Sequence, residues 1–176
     1  MKRIIILTIS TIVIIGCGGS KQFPFDIPNN PDYLYARATA TSKDMQHAIN
    51  SAKESGRVEI ARQLETNVSA MFKRFIEETG GGSDAELLQQ TADVSKSVVS
   101  TTLYGCRARK EDVKKEGGLY RAYVLMEVPI GEANAVLMAQ IKAREHLYTR
   151  FRAAQGFKEL AEEVERYERF KREQGF

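Results

Sequence analysis

Leu119-Tyr120-Arg121-Ala122-Tyr123-Val124-Leu125-Met126-Glu127-Val128-Pro129 decides the fold. Tyr120, Ala122, Val124, Met126 and Val128 fall on one face of an extended chain, and Arg121, Tyr123, Leu125 and Glu127 on the other. Alternation of period two over this length predicts a strand with one face turned to a core. Upstream, Val98 to Lys110 sets Val99, Thr101, Leu103, Gly105 and Arg107 against Ser100, Thr102, Tyr104, Cys106 and Ala108, which predicts its hairpin partner. The charged segment Lys110 to Gly118 ends in Gly117-Gly118 and reads as an exposed turn between them. Two strands alone are marginal in water, so a third is needed. Tyr33 to Thr41 supplies it, with Tyr33, Tyr35, Arg37, Thr39 and Thr41 alternating with a small-residue face of Leu34, Ala36, Ala38 and Ala40 suited to packing beneath a helix.

That helix follows at once. Thr41 or Ser42 precedes Asp44 as its N-cap, and Met45, Ala48, Ile49, Ala52, Gly56, Ile60, Leu64, Val68, Met71, Phe72 and Phe75 recur in steps of three and four. Gly56 lies on this stripe, where it permits close approach to the sheet at a helix cost of up to ~1 kcal/mol relative to alanine. Gly80-Gly81-Gly82 ends the helix, and Ser83 with Glu86 forms a capping box for a second helix over Asp84 to Lys96. The glycine triplet lacks the lysine and serine that a phosphate-binding loop requires. The expected class is α+β: a small three-stranded antiparallel-type sheet packed on a long helix.

After Pro129 the chain turns helical again, with Ala133, Val136, Leu137, Gln140, Ile141, Arg144, Leu147, Tyr148 and Phe151 on one stripe. Gly156 is expected to interrupt it, before an extended, charged C-terminal helix over Phe157 to Lys171. Glu162 and Arg166, Glu165 and Arg169, and Glu168 and Arg172 stand at i, i+4 in the favourable order. The helix is apolar only at Leu160, Val164, Tyr167 and Phe170, a narrow stripe that is a candidate interface with another copy or a partner.

At the N-terminus, Lys2 and Arg3 precede the apolar run Ile4 to Ile15, interrupted by Thr8, Ser10 and Thr11. A spanning helix needs roughly 20 mostly apolar residues, so this shorter run reads as a signal peptide. Ile14-Ile15-Gly16-Cys17 looks like the lipobox of bacterial prolipoproteins, in which the thiol of Cys17 takes a diacylglyceryl group and the new N-terminus an acyl chain such as palmitate. This covalent lipid is the only non-protein group expected. Two or more acyl chains hold firmly, at about 0.8 kcal/mol per buried CH₂. Gly18-Gly19-Ser20 carries no aspartate of the kind that resembles an inner-membrane retention signal, which points to the outer membrane, periplasmic side. In a Gram-positive source the same lipobox means the outer face of the cell membrane.

The chain therefore divides into a signal peptide (1–16), a lipidated cysteine with a Pro-rich tether (17–31), an α+β domain (32–130) and a C-terminal helical extension (131–176). Pro24, Pro28 and Pro31 keep Ser20 to Asn30 out of helix and sheet, so the tether is expected to hold the folded part away from the bilayer.

The 26 Lys and Arg against 23 Asp and Glu become 24 against 23 once Lys2 and Arg3 leave with the signal, and a near-neutral protein offers no basic footprint for nucleic acid. With Cys17 committed to lipid, Cys106 has no intramolecular partner and no disulfide framework forms. Burial in its strand is expected to raise its pKa and leave it inert, with an intermolecular bridge or redox role as the lesser alternative. His47 and His146 lack metal-ligand spacing, no nucleophile stands with a base, and no catalytic, cofactor or metal residue is expected. A ligand-binding module is the alternative, and it requires a pocket lined by residues such as Tyr104, Tyr120 and Tyr123.

The lipobox, the Pro-rich tether, Pro31-Asp32-Tyr33-Leu34-Tyr35-Ala36-Arg37-Ala38-Thr39-Ala40, the Ala-rich helix through Arg57 to Leu64, Ser97 to Gly105 and Tyr120 to Pro129 together resemble the LPP-twenty family of small bacterial lipoproteins. The resemblance covers about residues 20 to 142 and departs where Ala36 or Ala38 replaces a common glycine of the family's first strand. It implies a strand, one or two helices and a β-hairpin, self-association, no catalytic residues and, in some relatives, assembly around the flagellar motor. The expected function is that of a structural or assembly lipoprotein of the envelope, a homo-oligomer or a docking point for an envelope or flagellar partner. Metabolic labelling with palmitate should mark the protein and place it in the membrane fraction, and Cys17→Ser should abolish both. A C17S chain that still carries label would overturn the lipobox reading.

Overall fold

The computed structural model describes residues 23–80 and 84–174. The signal peptide, the lipobox and Cys17 lie outside the described residues, as do Gly81, Gly82 and Ser83. Strand β1 (Tyr33–Ser42) leads into helix α1 (Met45–Thr79), then α2 (Ala85–Thr102), one 3-10 turn (Leu103–Gly105) and the hairpin β2 (Arg107–Glu116) and β3 (Leu119–Pro129). Three further helices follow: α3 (Ile130–Lys142), α4 (Glu145–Phe151) and α5 (Gln155–Gln174). The protein is α+β, with an antiparallel sheet of order β1-β3-β2 and the long α1 packed across one face. Among the described residues no helix is long and apolar enough to cross a membrane.

The alternation in β3 has the consequence expected of it. Ala122, Val124, Met126 and Val128 join Ala36 beneath Ala48, Ala52, Ile60 and Leu64 of α1 in one core. The surfaces that meet are small, so helix and sheet approach closely. A Cβ at position 56 would collide with Met126 Cγ and stand 3.4 Å from Ala38 Cβ. The N-cap is Asp44 and not Thr41 or Ser42: its Oδ1 accepts from His47 N at 2.7 Å, while Ser42 Oγ accepts from Asp44 N at 3.1 Å. Gly80, at φ 72°, closes the other end by donating its N–H to Ile76 O.

The upstream partner strand is corrected. Residues expected to begin it at Val98 belong to α2, which runs six residues beyond Lys96, and then to the 3-10 turn. Val98, Val99, Thr101 and Thr102 are β-branched and favour strands in isolation, but Leu87, Thr91, Val94, Ser95, Val98 and Thr102 are buried in steps of three and four. Tertiary packing on this stripe outweighs local propensity. Strand β2 therefore starts at Arg107 and continues through the segment expected to be a turn. The true turn is Gly117-Gly118, whose φ values of 57° and 82° suit the two central positions of a tight hairpin. The second helix is capped by Asp84, whose side chain accepts from Leu87 N at 3.0 Å.

Beyond Pro129 the break falls at Ala143-Arg144 and again at Arg152 to Ala154, not at Gly156. Gly156 sits in the first turn of α5, against Phe75 and Arg74, and donates its N–H to Glu78 Oε2 at 3.0 Å. The distal half of α1 joins these helices in a second core, where Val68, Phe72 and Phe75 meet Leu87, Val94, Leu137, Ile141, Leu147, Phe151, Phe157 and Leu160. Helix α1 thus carries the sheet on its first half and the helical layer on its second. Gly56→Ala should destabilise the protein by about 1–3 kcal/mol in urea denaturation, since overpacking at Met126 outweighs the gain in helix propensity. An unchanged or raised midpoint would show that the sheet can move away at no cost.

Candidate functional site

The face of the sheet opposite α1 gathers charged and aromatic side chains from all three strands. Register places Tyr35, Glu127 and Arg107 in one row, Arg37, Leu125 and Lys110 in the next, then Thr39, Tyr123 and Asp112, then Thr41, Arg121 and Lys114. The pairing skips from Ala108 to Lys110, and this bulge brings Arg107, Arg109 and Lys110 to the same side. Glu127, 2 % exposed, is the reason for two of them. Arg107 Nε donates to its Oε1 at 3.0 Å and Arg109 Nη1 to its Oε2 at 2.9 Å, so a carboxylate that sequence placed on the outer face is buried under two guanidinium groups. Burial pushes the neighbouring Tyr35 phenol up; Arg109 opposes this and Glu127 adds to it.

No described helix lies across this face, yet Leu125 is fully buried. Its cover is a strap formed by the described part of the expected tether. Phe23 stands edge-on to Tyr123, with ring centroids 5.6 Å apart, and edge-on to Phe25 at 5.8 Å. The Arg37 guanidinium lies 5.2 Å from the Phe23 centroid, Lys110 Nζ 5.9 Å from that of Phe25, and Asp26 Oδ1 3.9 Å from Arg37. The prolines do keep residues 23–30 out of helix and ladder. They do not keep them off the domain, because two phenylalanines two residues apart bring both rings onto the sheet with cations over them. Those phenylalanines were the available signal.

The candidate stripe on α5 is used mainly within the chain. Leu160 is buried in the second core, Val164 packs against that core, and Tyr167 lies against Gly131. Phe170 alone of the four is well exposed, at 54 %. It borders a groove of about 570 Å³ formed with Asn30, Tyr33, Pro129 and Ile130. Of the three expected i, i+4 pairs, Arg169 and Glu165 meet at 3.4 Å.

Tyr104, Tyr120 and Tyr123 do not converge: Tyr104 is 89 % exposed in the 3-10 turn, and Tyr120 and Tyr123 stand on opposite faces of β3. Cys106 is buried just before β2 rather than within a strand, and burial raises its pKa against the opposing effect of Arg57. His146 Nε2 stands 3.9 Å from Asp84 Oδ2, and His47 faces Ser51 on the first turns of α1. Among the described residues no group of three His, Cys, Asp or Glu side chains is placed to hold a metal.

Glu127→Ala should lower stability by about 1.5–3 kcal/mol, the range for hydrogen bonds to charged groups, measured by urea denaturation. Arg107→Ala should cost less, because its guanidinium is mostly solvated. Equal losses would contradict the assignment of Glu127 as the centre of the cluster.

A comparison of the chain with protein-family models and with curated protein sequences returned no match.

Proposed function

We propose that this is a non-enzymatic assembly lipoprotein of the bacterial envelope, anchored through Cys17 to the periplasmic side of the outer membrane, that self-associates by pairing its β1 edge. The observation that carries the reading is the contrast between the two edges of the sheet. Strand β2 has eight charged residues in ten and a bulge, both of which discourage a second strand from adding. Strand β1 is equally long and has one charge, Arg37. Its outward backbone groups alternate with those that bond β3, and among the described residues two hydrogen bonds reach them, both near its start: Tyr33 N donates to Asn30 O at 3.4 Å and Gln63 Nε2 to Tyr35 O at 3.2 Å. A long, nearly uncharged edge is a template for another strand. Two copies pairing there in antiparallel fashion form a closed, isologous contact and one six-stranded sheet.

The resemblance to a self-associating lipoprotein family, some of whose members attach to the flagellar motor, supports the same reading and adds a flagellar or other envelope partner to the proposal. An extended segment of such a partner fits the same edge by strand addition. Light scattering over a concentration series, on the chain from Gly18 onward, should give a dimer or a larger even assembly. Thr39→Pro removes one outward N–H and is tolerated on an edge, so it should yield a folded monomer. A strict monomer, or an assembly that survives T39P, would contradict edge pairing.

A further inference from the structure

We infer that the open face of the sheet, strapped by Phe23 and Phe25 and lined by Arg37, Arg107, Lys110 and Lys114, is the membrane-facing side of the anchored protein and meets the headgroups of an anionic phospholipid surface. The inference rests on acylation of Cys17 and adds to it an orientation and a lipid chemistry.

Chain length supplies the first argument. Six residue steps separate Cys17 from Phe23, and an extended chain spans at most about 3.6 Å per residue, so Phe23 lies within about 22 Å of the acylated residue whatever path the chain takes. Phe23 is seated on the open face, against Tyr123 and Arg37. Helix α1 is on the far side of the sheet. The anchor therefore draws down the open face and leaves α1 directed away from the bilayer.

Charge and composition supply the second. Six cations, Arg37, Arg107, Arg109, Lys110, Lys114 and Arg121, share this face with Asp26, Asp112, Glu116 and Glu127. Glu127 is covered by Arg107 and Arg109, so the guanidinium groups and not the carboxylate meet an approaching surface. Lys110 and Lys114 lie over Phe25 and Tyr123, which combines cations with aromatic rings as interfacial segments do. Ile27, 49 % exposed, continues the strap as an apolar contact. Basic side chains are attracted to an anionic leaflet within about a Debye length of its surface.

Geometry of assembly supplies the third. Antiparallel pairing of two β1 edges has its two-fold axis perpendicular to the sheet, so both open faces, and both anchors, lie on the same side. One bilayer can hold such a pair without strain.

The test uses the acylated mature protein in a Cys106→Ala background, reconstituted in phosphatidylcholine vesicles with or without phosphatidylglycerol. A fluorophore is placed at Thr39→Cys on the open face or at Val58→Cys on the outer side of α1, and quenching is read from a headgroup-labelled quencher lipid. Stronger quenching at position 39 than at 58 is expected on phosphatidylglycerol vesicles, with loss of that difference in Lys110→Glu/Lys114→Glu and in 1 M salt, where the Debye length falls to about 3 Å. Equal quenching at both positions, stronger quenching at 58, or the same difference on phosphatidylcholine alone would overturn the inference. Flotation and the mass of the Cys17 peptide are read separately. A chain that does not float or carries no lipid fails at the anchor, whereas a floating, acylated chain without the difference fails at the orientation.

Discussion

The contact between α1 and the alanine face of the sheet is the constraint on which the other features depend. Ala48, Ala52 and Gly56 meet Ala36, Ala38 and Met126 at a separation that leaves no room for a Cβ at position 56. Interiors at this density tolerate little change in volume. While α1 occupies one face this closely, Tyr35, Tyr123 and Leu125 are directed to the other. That face then needs a cover of its own. The chain supplies it from the N-terminal side, with Phe23 and Phe25, and from β2, with arginines clamped on Glu127.

The same contact explains why the molecule has two cores joined by one helix. The 35 residues of α1 extend well past the sheet. Its distal stripe of Val68, Phe72 and Phe75 has no strand beneath it and is buried by α2 and by the helices after Pro129 instead. The C-terminal helices are thus committed to the fold, and the surfaces left for partners are the edge of β1, the open face and the groove beside Phe170. Edge pairing and a face-down orientation are geometrically compatible, since each uses a different side of the same strand.

Much of the fold was legible from periodicity. The alternations in β3 and β1 and the stripe of α1 each had a single physical reading, and each element formed where its pattern stood. The failures came where two signals competed. Val98 to Thr102 is β-branched yet buried at helical spacing, and no local property says that α1 will be there to receive it. Strand β2 is so charged that it reads as a loop; only its place at an edge, paired to β3 on one side, makes such a strand stable. The buried carboxylate of Glu127 was invisible because alternation assigns a face, not a depth, and its partners Arg107 and Arg109 reach it through a bulge. The strap was missed because prolines describe what a backbone avoids, while Phe23 and Phe25 decide where it lies. On α5, spacing located the apolar stripe correctly, but whether Leu160 meets its own chain or another copy is a question of tertiary packing.

Hydrogen exchange at the amides of β1 tests the central claim most directly. As the protein assembles with rising concentration, the outward amides of Arg37, Thr39 and Thr41 should become protected while those on the outer side of β2 stay fast. Protection that appears on β2 instead, or assembly that leaves the β1 amides unchanged, would contradict the account.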